Sequence, residues 1–150
     1  MSTIQLSETL ANMKKTVQAL VHAYNEWDYE ATKATQAEDF TFEARPLSMG
    51  RESLNGEQFK DLFINFLAPS FKDFKIEAES IIHDPESLQS VLHGFFNILT
   101  PQDHPVRLEV VMLFKFNETG EKFVKVQEFF DSKVYLESTK AMQAAAKEGE

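Results

Sequence analysis

The spacing of hydrophobic residues predicts helices in the first half of the chain and long strands in the second. Apolar side chains recur every three or four positions after Ser7, a good helix N-cap, which predicts a helix over residues 7–26. We also expect a short helix at about residues 28–37, a strand at residues 40–45 and a helix from Asn55 to about residue 68. The helix that begins at Asn55 has an apolar stripe of Phe59, Leu62, Phe63 and Phe66. Such a stripe is more often core than a ligand-binding surface.

The remaining chain is predicted to be mostly strand, with four long strands, the first of which alternates apolar and polar residues. In the first, residues 74–84, Phe74 and Ile82 are expected on the same face. The other strands are expected at residues 88–99, 106–116 and 123–130, and a partly helical tail with an acidic end at residues 132–150. Helices followed by strands predict a single α+β domain over residues 1–150, with its core at about residues 7–137. Its curved antiparallel sheet would wrap around the N-terminal helices as a cone with an open mouth.

The second and third long strands are apolar on both faces. Leu92 and Phe96 lie opposite Val91 and Phe95 in one strand, and the other strand repeats this pattern. An antiparallel sheet with one solvated face usually alternates more cleanly. We therefore expect a second copy of the chain to cover the outer face, forming a homodimer through the sheet.

Composition narrows the range of partners. The chain has 14 phenylalanines against one tryptophan and three tyrosines, which favours the wall of a dry cavity for a small hydrophobic molecule. The net charge of −9 disfavours nucleic acid and anionic membrane surfaces as partners. The absence of cysteine excludes disulfides and thiolate chemistry. The N-terminal residues do not resemble a signal peptide, so we expect a cytoplasmic location.

Glu128 is the strongest candidate for chemistry. It shares strand parity with Val124, Val126 and Phe130, so it is expected to point towards an apolar face. Burial disfavours the charged form of a carboxyl group and raises its pKa, which suits a general acid or base near neutral pH. The alternative interpretation is a buried acid that pairs with a basic side chain for structural reasons.

Arg45 and His93 are further candidates, each with two open interpretations. Arg45 ends the first strand near the expected mouth, where it would pair with Glu128 or hold a ligand oxygen, or be a surface arginine. His93 lies in mid-strand and would shuttle protons from the inner face, or be a structural histidine. A cross-strand salt bridge is the expected role of Glu109. The spacing of His22, His83 and His104 does not suggest a metal site.

Four short segments, in their order and spacing, resemble a known family. They are residues 23–28 (AYNEWD), 46–51 (PLSMGR), 91–93 (VLH) and 128–132 (EFFDS). They are similar to the "AYN-x-x-D", "P-x-S-x-G-R", "V-x-H" and "E-F-x-D-S" patterns of fungal SnoaL-like proteins of the NTF2-like superfamily. The similarity extends over about residues 15–137. It implies an NTF2-like cone, and a site role for Asp131 beside the helix-capping role that its position suggests.

The resemblance also implies an activity. Some fungal proteins of this kind act in secondary metabolism as isomerases, cyclases or rearrangement catalysts, by acid–base chemistry without a metal or organic cofactor. Phe42 stands where these proteins lead us to expect a histidine, and Leu108 and Val110 stand where "N-E-Y" would supply an asparagine and a tyrosine. Two hypotheses follow: a cofactor-independent isomerase or cyclase, and a non-catalytic module that binds a ligand or dimerises.

Overall fold

The computed structural model describes residues 1–148, apart from the side chains of Met142, Ala145 and Ala146. Its helices are α1 (Thr3–Asn25), α2 (Tyr29–Lys33), α3 (Gly56–Asp61) and α4 (Ser132–Glu148). Its strands are β1 (Gln36–Arg45), β2 (Leu54–Asn55), β3 (Asp73–Asp84), β4 (Gln89–Leu99), β5 (Pro105–Phe116) and β6 (Phe123–Phe130). These elements confirm the predicted α+β class.

Helix α1 begins earlier than predicted. Ser2, and not Ser7, is the N-cap: its hydroxyl accepts from the backbone N–H of Gln5, whose side chain accepts in return from the backbone N–H of Ser2. This reciprocal capping box satisfies backbone donors that a helix start leaves free. The predicted stripe is largely confirmed, with Met13, Val17 and Leu20 fully buried.

The second helix is shorter than predicted. Asp28 caps it by accepting from the backbone N–H of Ala31, but the helix ends at Lys33 and strand β1 already begins at Gln36. Strand β1 thus starts four residues before the predicted strand. Residues 36–39 extend it because β1 pairs with β6 at Gln36 and again from Thr41 onwards, with an irregularity between the two positions.

Helix α3 changes its winding halfway along the predicted helix. Asn55 caps it through a capping box with Gln58, as the sequence indicates for its start. The chain then continues as a π-helix, Leu62–Leu67, and a short 3-10 turn, Ala68–Ser70. We call Leu62–Leu67 the π segment; such segments are rare and frequently found at functional sites.

The strands form one sheet in the order β2-β1-β6-β5-β4-β3. Neighbouring strands are antiparallel except β1 and β6, which are parallel. The sheet curves around α1, which packs against β3: the side chain of Asn25 accepts from the backbone N–H of Ile76 at 2.8 Å. The buried side chains form one hydrophobic cluster between sheet and helices.

A β-bulge corrects the predicted alternation of β3. Ala78 pairs with Gly94 and Ser80 pairs with His93, so that Glu79 is an extra residue on β3. An extra residue reverses the facing of the strand beyond it. Ile82 therefore pairs with Val91 on the outer face and is 67% exposed, whereas it was expected beside Phe74.

The C-terminal tail is more regular than predicted. Helix α4 runs as far as Glu148, and it packs Val134 and Tyr135 against the hydrophobic cluster. The final two residues of the predicted acidic end, 149 and 150, lie outside the described residues. Within residues 1–148, no helix combines the length and the apolar character needed to span a membrane.

Candidate active site

An apolar cavity of about 150 Å³ lies between the concave face of the sheet, the end of α1 and the π segment. Eight of the 14 phenylalanines line it: Phe42, Phe59, Phe63, Phe66, Phe71, Phe74, Phe96 and Phe130. Of the stripe predicted on the third helix, only Phe59 and Phe63 are core as expected, whereas Phe66 is 61% exposed although it also lines the cavity. Phe59 and Phe63 are core residues, at most 2% exposed, and they also form the cavity wall.

Trp27 fixes one side of this wall. Its ring stacks on Phe63 with centroids 4.1 Å apart, and its indole N–H donates to the Phe63 carbonyl at 3.1 Å. The same carbonyl accepts from the backbone N–H of Ala68, a bond that spans five residues and belongs to the π segment. The unusual helix thus fixes the aromatic wall in place.

Glu128 projects from β6 into this cavity, as the alternation of β6 predicted. Its neighbours on the sheet are Ala44 of β1 and Met112 of β5, both apolar, and the residue is 8% exposed. Burial raises the pKa of Glu128 to about 7, against the opposing effect of a hydrogen bond from Tyr24. At neutral pH the carboxyl group is therefore present in both its protonated and its ionised form.

Tyr24, near the end of α1, is the hydrogen-bond partner of this carboxyl group. Its hydroxyl donates to Glu128 Oε1 at 3.4 Å, a long bond. Burial, together with the negative charge of Glu128, raises the pKa of Tyr24 well above its usual range. Tyr24 therefore keeps its proton, and it orients Glu128 as a neutral donor.

Arg51 and Tyr135 lie where the cavity opens. Both line it, and Arg51 Nη2 donates to the Tyr135 hydroxyl at 2.7 Å. Tyr135 in turn packs on Phe130 of β6, with ring centroids 5.1 Å apart. Arg51 follows Gly50, whose φ of 69° is readily adopted by glycine and ends the short turn after β1.

The structure does not bring Arg45 to Glu128. Arg45 projects from the outer face of β1, where Nη2 donates to Glu43 Oε2 at 2.6 Å. Burial on its own would raise the pKa of Glu43. The hydrogen bond from Gln127 and the charges of Lys125 and Arg45 outweigh it and hold that pKa below its usual range. Arg45 therefore pairs with Glu43 and not, as one interpretation proposed, with Glu128. Ala44, the residue beside Glu128, faces the cavity, and the adjacent Arg45 faces the opposite side of the sheet.

His93 also lies on the outer face, away from the cavity. Its Nε2 is 2.8 Å from Glu109 Oε2 on the neighbouring strand, which matches the cross-strand pairing expected of Glu109. The sequence left open which face His93 occupies. Packing decides this, because the adjacent residue Leu92 is fully buried in the hydrophobic cluster between sheet and helices, which turns His93 outwards.

Asp131 has the geometry of a helix cap. Its Oδ1 accepts from the backbone N–H groups of Lys133 and Val134 at 3.1 and 3.2 Å, at the start of α4. Its own backbone N–H donates to the carbonyl of Glu109. Asp131 fixes the position of α4, and with it Tyr135, but it does not line the cavity.

Comparison with known proteins agrees with this architecture. The crystal structure of BvnE pinacolase from Penicillium brevicompactum superposes with a TM-score of 0.84, covering 91% of this chain and 97% of that protein at 22% identity. A SnoaL-like protein of Shewanella denitrificans gives a TM-score of 0.71 over 86% of this chain and 97% of that one, at 12% identity. The chain has the SnoaL-like, NTF2-like fold.

Sequence relatives of this chain are fungal. A monooxygenase of Claviceps purpurea is 29% identical over 117 residues, which cover 78% of this chain and 73% of the relative. Core atranone cluster protein 11 of Stachybotrys chlorohalonatus is 29% identical over 136 residues, 89% of this chain and 98% of the relative. No protein-family model matches the sequence. The predicted resemblance to fungal SnoaL-like proteins is thus confirmed.

Sequence reasoning missed three polar residues of this cavity. Tyr24 occurs at core spacing on α1, where sequence alone does not distinguish a site tyrosine from a packing one, and Arg51 ends the turn segment of residues 46–51. Tyr135 is 84 positions from Arg51 in the sequence, and only the fold brings them together. Phe42 and Leu108, which replace the expected histidine and asparagine, do line the cavity.

Metal ligands do not cluster in the part of the chain that the structure describes. Among those residues, no group of three or more His, Asp and Glu side chains is arranged to hold a metal ion. His83 Nδ1 is instead 2.6 Å from Ser90 Oγ. The titratable side chain that dominates the cavity is Glu128.

Proposed function

We propose that this protein is a secondary-metabolism enzyme that isomerises, cyclises or rearranges a hydrophobic small molecule by acid–base chemistry, without a metal or organic cofactor. The observation that supports this most is Glu128. A carboxyl group with a pKa of about 7 in a phenylalanine-lined cavity both accepts and returns a proton at neutral pH.

The proposed reaction begins with Glu128 as a base. The carboxylate removes a proton from a carbon next to a substrate carbonyl, the C–H electron pair moves into an enolate, and Glu128 becomes a carboxylic acid. The acid then returns the proton to another atom, completing an isomerisation with no net change in protons. Tyr24 holds Glu128 Oε1 in place. Acid–base catalysis of this kind contributes a factor of roughly 10² to 10⁴ in rate.

The reported relatives support the metabolic setting. One is named as a member of the atranone cluster, one as a monooxygenase, and the structural neighbour BvnE as a pinacolase. These names do not agree on one reaction. An enolate formed by Glu128 would suit a rearrangement, or a reaction with molecular oxygen as co-substrate.

The test compares wild type with Glu128→Gln on metabolite extract of the source organism, followed by mass spectrometry. We expect wild type to convert a compound to an isomer and the variant to do so at least about 100-fold more slowly. Glu118→Gln, an exposed glutamate in the β5–β6 turn, is the matched control and keeps full activity. If the product instead gains one oxygen atom and loses two hydrogens, with one O2 consumed and one water released, the reaction is an oxygenation and not an isomerisation.

The alternative is a non-catalytic ligand-binding module with the same fold. A site for catalysis requires at least two convergent polar groups near the ligand. Glu128 and Tyr24 share the cavity, with Arg51 and Tyr135 at its mouth, and this favours the enzyme. If wild type and Glu128→Gln both bind the same compound and leave it unchanged, the result supports the ligand-binding module instead.

We further propose that two copies associate through the outer face of the sheet. Val91, Val111 and Leu113 are half-buried there, and Phe129 is 39% exposed. Apolar side chains of this kind would lose contact with water in a dimer. The single domain over residues 1–150 and the cytoplasmic location stay predictions.

A further inference from the structure

Among the described residues 1–148, Arg51 has no carboxylate partner, and it lies where the cavity meets solvent. The chain has three arginines, and two of them, Arg45 and Arg107, each form an ion pair with a glutamate. Arg51 forms no ion pair with any residue that the structure describes. Its hydrogen bond goes to the neutral hydroxyl of Tyr135. In a chain of net charge −9, this leaves the charge of one guanidinium available to a ligand.

Two hollows of different chemistry adjoin the cavity at Arg51 and Phe66. The first, beside α3, is also lined by the carboxylates of Glu52, Glu57 and Asp61, which repel an anion. The second lies beneath α4 and has a volume of about 500 Å³; we call it the α4 groove. Its described lining contains no Asp or Glu, and its polar groups besides Arg51 and Tyr135 are those of Ser70, Thr100, Ser138, Thr139 and Gln143.

A ligand that is larger than the cavity must extend into one of these two hollows. A cavity of about 150 Å³ holds roughly one benzene-sized ring. Any larger molecule whose reactive carbon reaches Glu128 therefore passes Arg51 and Phe66. An acidic group on that molecule is stabilised in the α4 groove and destabilised beside the carboxylates near α3.

We propose that the α4 groove binds the acidic, oxygen-bearing end of the substrate, with Arg51 pairing with its negatively charged oxygen while the apolar body lies in the cavity. This inference rests on the proposed function, since it names the substrate class of that site. Arg51 offers a planar set of N–H donors suited to a carboxylate, enolate or phenolate. The Tyr135 hydroxyl, at 2.7 Å, holds the guanidinium at the mouth.

Two fluorescent probes with the same aromatic body test this assignment. 8-Anilinonaphthalene-1-sulfonate carries a negative charge, whereas N-phenyl-1-naphthylamine is neutral. We expect Arg51→Gln to weaken binding of the anionic probe by about 10-fold or more, the typical effect of losing a charge-assisted hydrogen bond, and to leave the neutral probe unchanged. Arg107→Gln, an arginine on the outer face, is the matched control and affects neither probe.

A second variant locates the anion in the groove without changing Arg51. Ser138→Asp introduces a carboxylate into the α4 groove, and we expect it to weaken the anionic probe alone. Thermal melting verifies that each variant folds. The proposal is overturned if Arg51→Gln loses affinity equally for both probes, or if its affinity for the anionic probe is unchanged.

The outcome is separable from that of the proposed function, because probe binding requires no turnover. If affinity for the anionic probe depends on Arg51 but no metabolite is converted, the acidic-ligand site stands and catalysis fails. If turnover depends on Glu128 but Arg51→Gln does not change the affinity for the anionic probe, catalysis stands and the α4 groove assignment fails.

Discussion

At the scale of single residues, Glu128 combines an apolar environment with one weak polar contact. Ala44 and Met112 flank it on the sheet, and neither supplies a hydrogen bond or a compensating charge. The long bond from Tyr24 offsets only part of the effect of burial on its pKa. Such a group reduces the stability of the fold whenever it is ionised, which is a cost often found at functional sites.

This cost predicts a pH-dependent stability difference between wild type and Glu128→Gln. Unfolded Glu128 loses its proton near the ordinary pKa of 4.5, whereas folded Glu128 keeps it to about 7. The folded state of wild type is therefore fully favoured below pH 4.5 and loses up to about 3 kcal/mol as pH rises to above 7. We expect urea denaturation to find the variant more stable than wild type at pH 8 and similar to it at pH 4.5.

Glu118→Gln is the control for this measurement, because that side chain is exposed in both states. It should show no comparable dependence on pH. A constant stability difference between wild type and Glu128→Gln across this range would contradict the assignment of a raised pKa to Glu128.

Tyr24→Phe should raise the pKa of Glu128 further. The hydrogen bond from the tyrosine hydroxyl favours the ionised carboxylate, so its removal favours the protonated form. Carbon-13 NMR titration of labelled glutamate carboxyl groups measures this shift directly. Tyr135→Phe, which removes a hydroxyl bonded to Arg51 instead, is the matched control. A pKa of Glu128 that stays the same or falls in Tyr24→Phe would refute the role given to Tyr24.

At the scale of secondary-structure elements, the bulge in β3 depends on a glycine in β4. A Cβ atom on Gly94 would lie 2.1 Å from the backbone oxygen of Glu77, closer than any real contact permits. The neighbouring atoms are sheet backbone, which cannot move aside without breaking the β3–β4 ladder. The two strands can approach each other at the bulge only because position 94 has no side chain.

Gly94→Ala should therefore lower the free energy of unfolding by about 3 kcal/mol, measured by chemical denaturation. Gly56→Ala is the matched control. A Cβ there would meet nothing closer than the Gln36 side chain at 4.0 Å, and helix α3 begins at this residue, so its effect should be small or stabilising. Equal costs for the two substitutions would show that the bulge does not depend on Gly94.

At the scale of the whole molecule, the sheet has two faces with different roles. The concave face builds the cavity, and the outer face holds Arg45, His93 and their carboxylate partners among half-buried apolar side chains. This division explains why two candidate residues with suitable chemistry lie away from Glu128.

The proposed dimer through the outer face of the sheet predicts the oligomeric state of the protein. We expect wild type to sediment as a dimer in analytical ultracentrifugation, and Val111→Asp, in the middle of the outer face, to sediment as a folded monomer because it would bury a charge. Ile4→Asp replaces an apolar residue of α1 that is 72% exposed and should leave the dimer intact. A monomeric wild type at micromolar concentration would rule out this use of the outer face.

The sequence by itself determined the parts of this protein that depend on local periodicity. A two-residue repeat along β6 was enough to place Glu128 on the apolar side, and a 3.6-residue repeat was enough to identify the buried face of α1. Glycines, prolines and capping residues marked most element ends to within a few positions. Helix winding in the π segment and the bulge at Glu79 were missed, because neither leaves a periodic signal.

Only the tertiary structure decided what depends on contacts between distant segments. Strand parity groups His93 with Phe95 and Arg45 with Glu43, but which face turns inward is settled by the helices that cover it. The meeting of Tyr24 with Glu128, across 104 positions, and of Arg51 with Tyr135, across 84, follows from the curvature of the sheet and the docking of α4. The sequence therefore supplied the acid, and the packing of helices on the sheet supplied the apolar cavity whose burial of that acid raises its pKa.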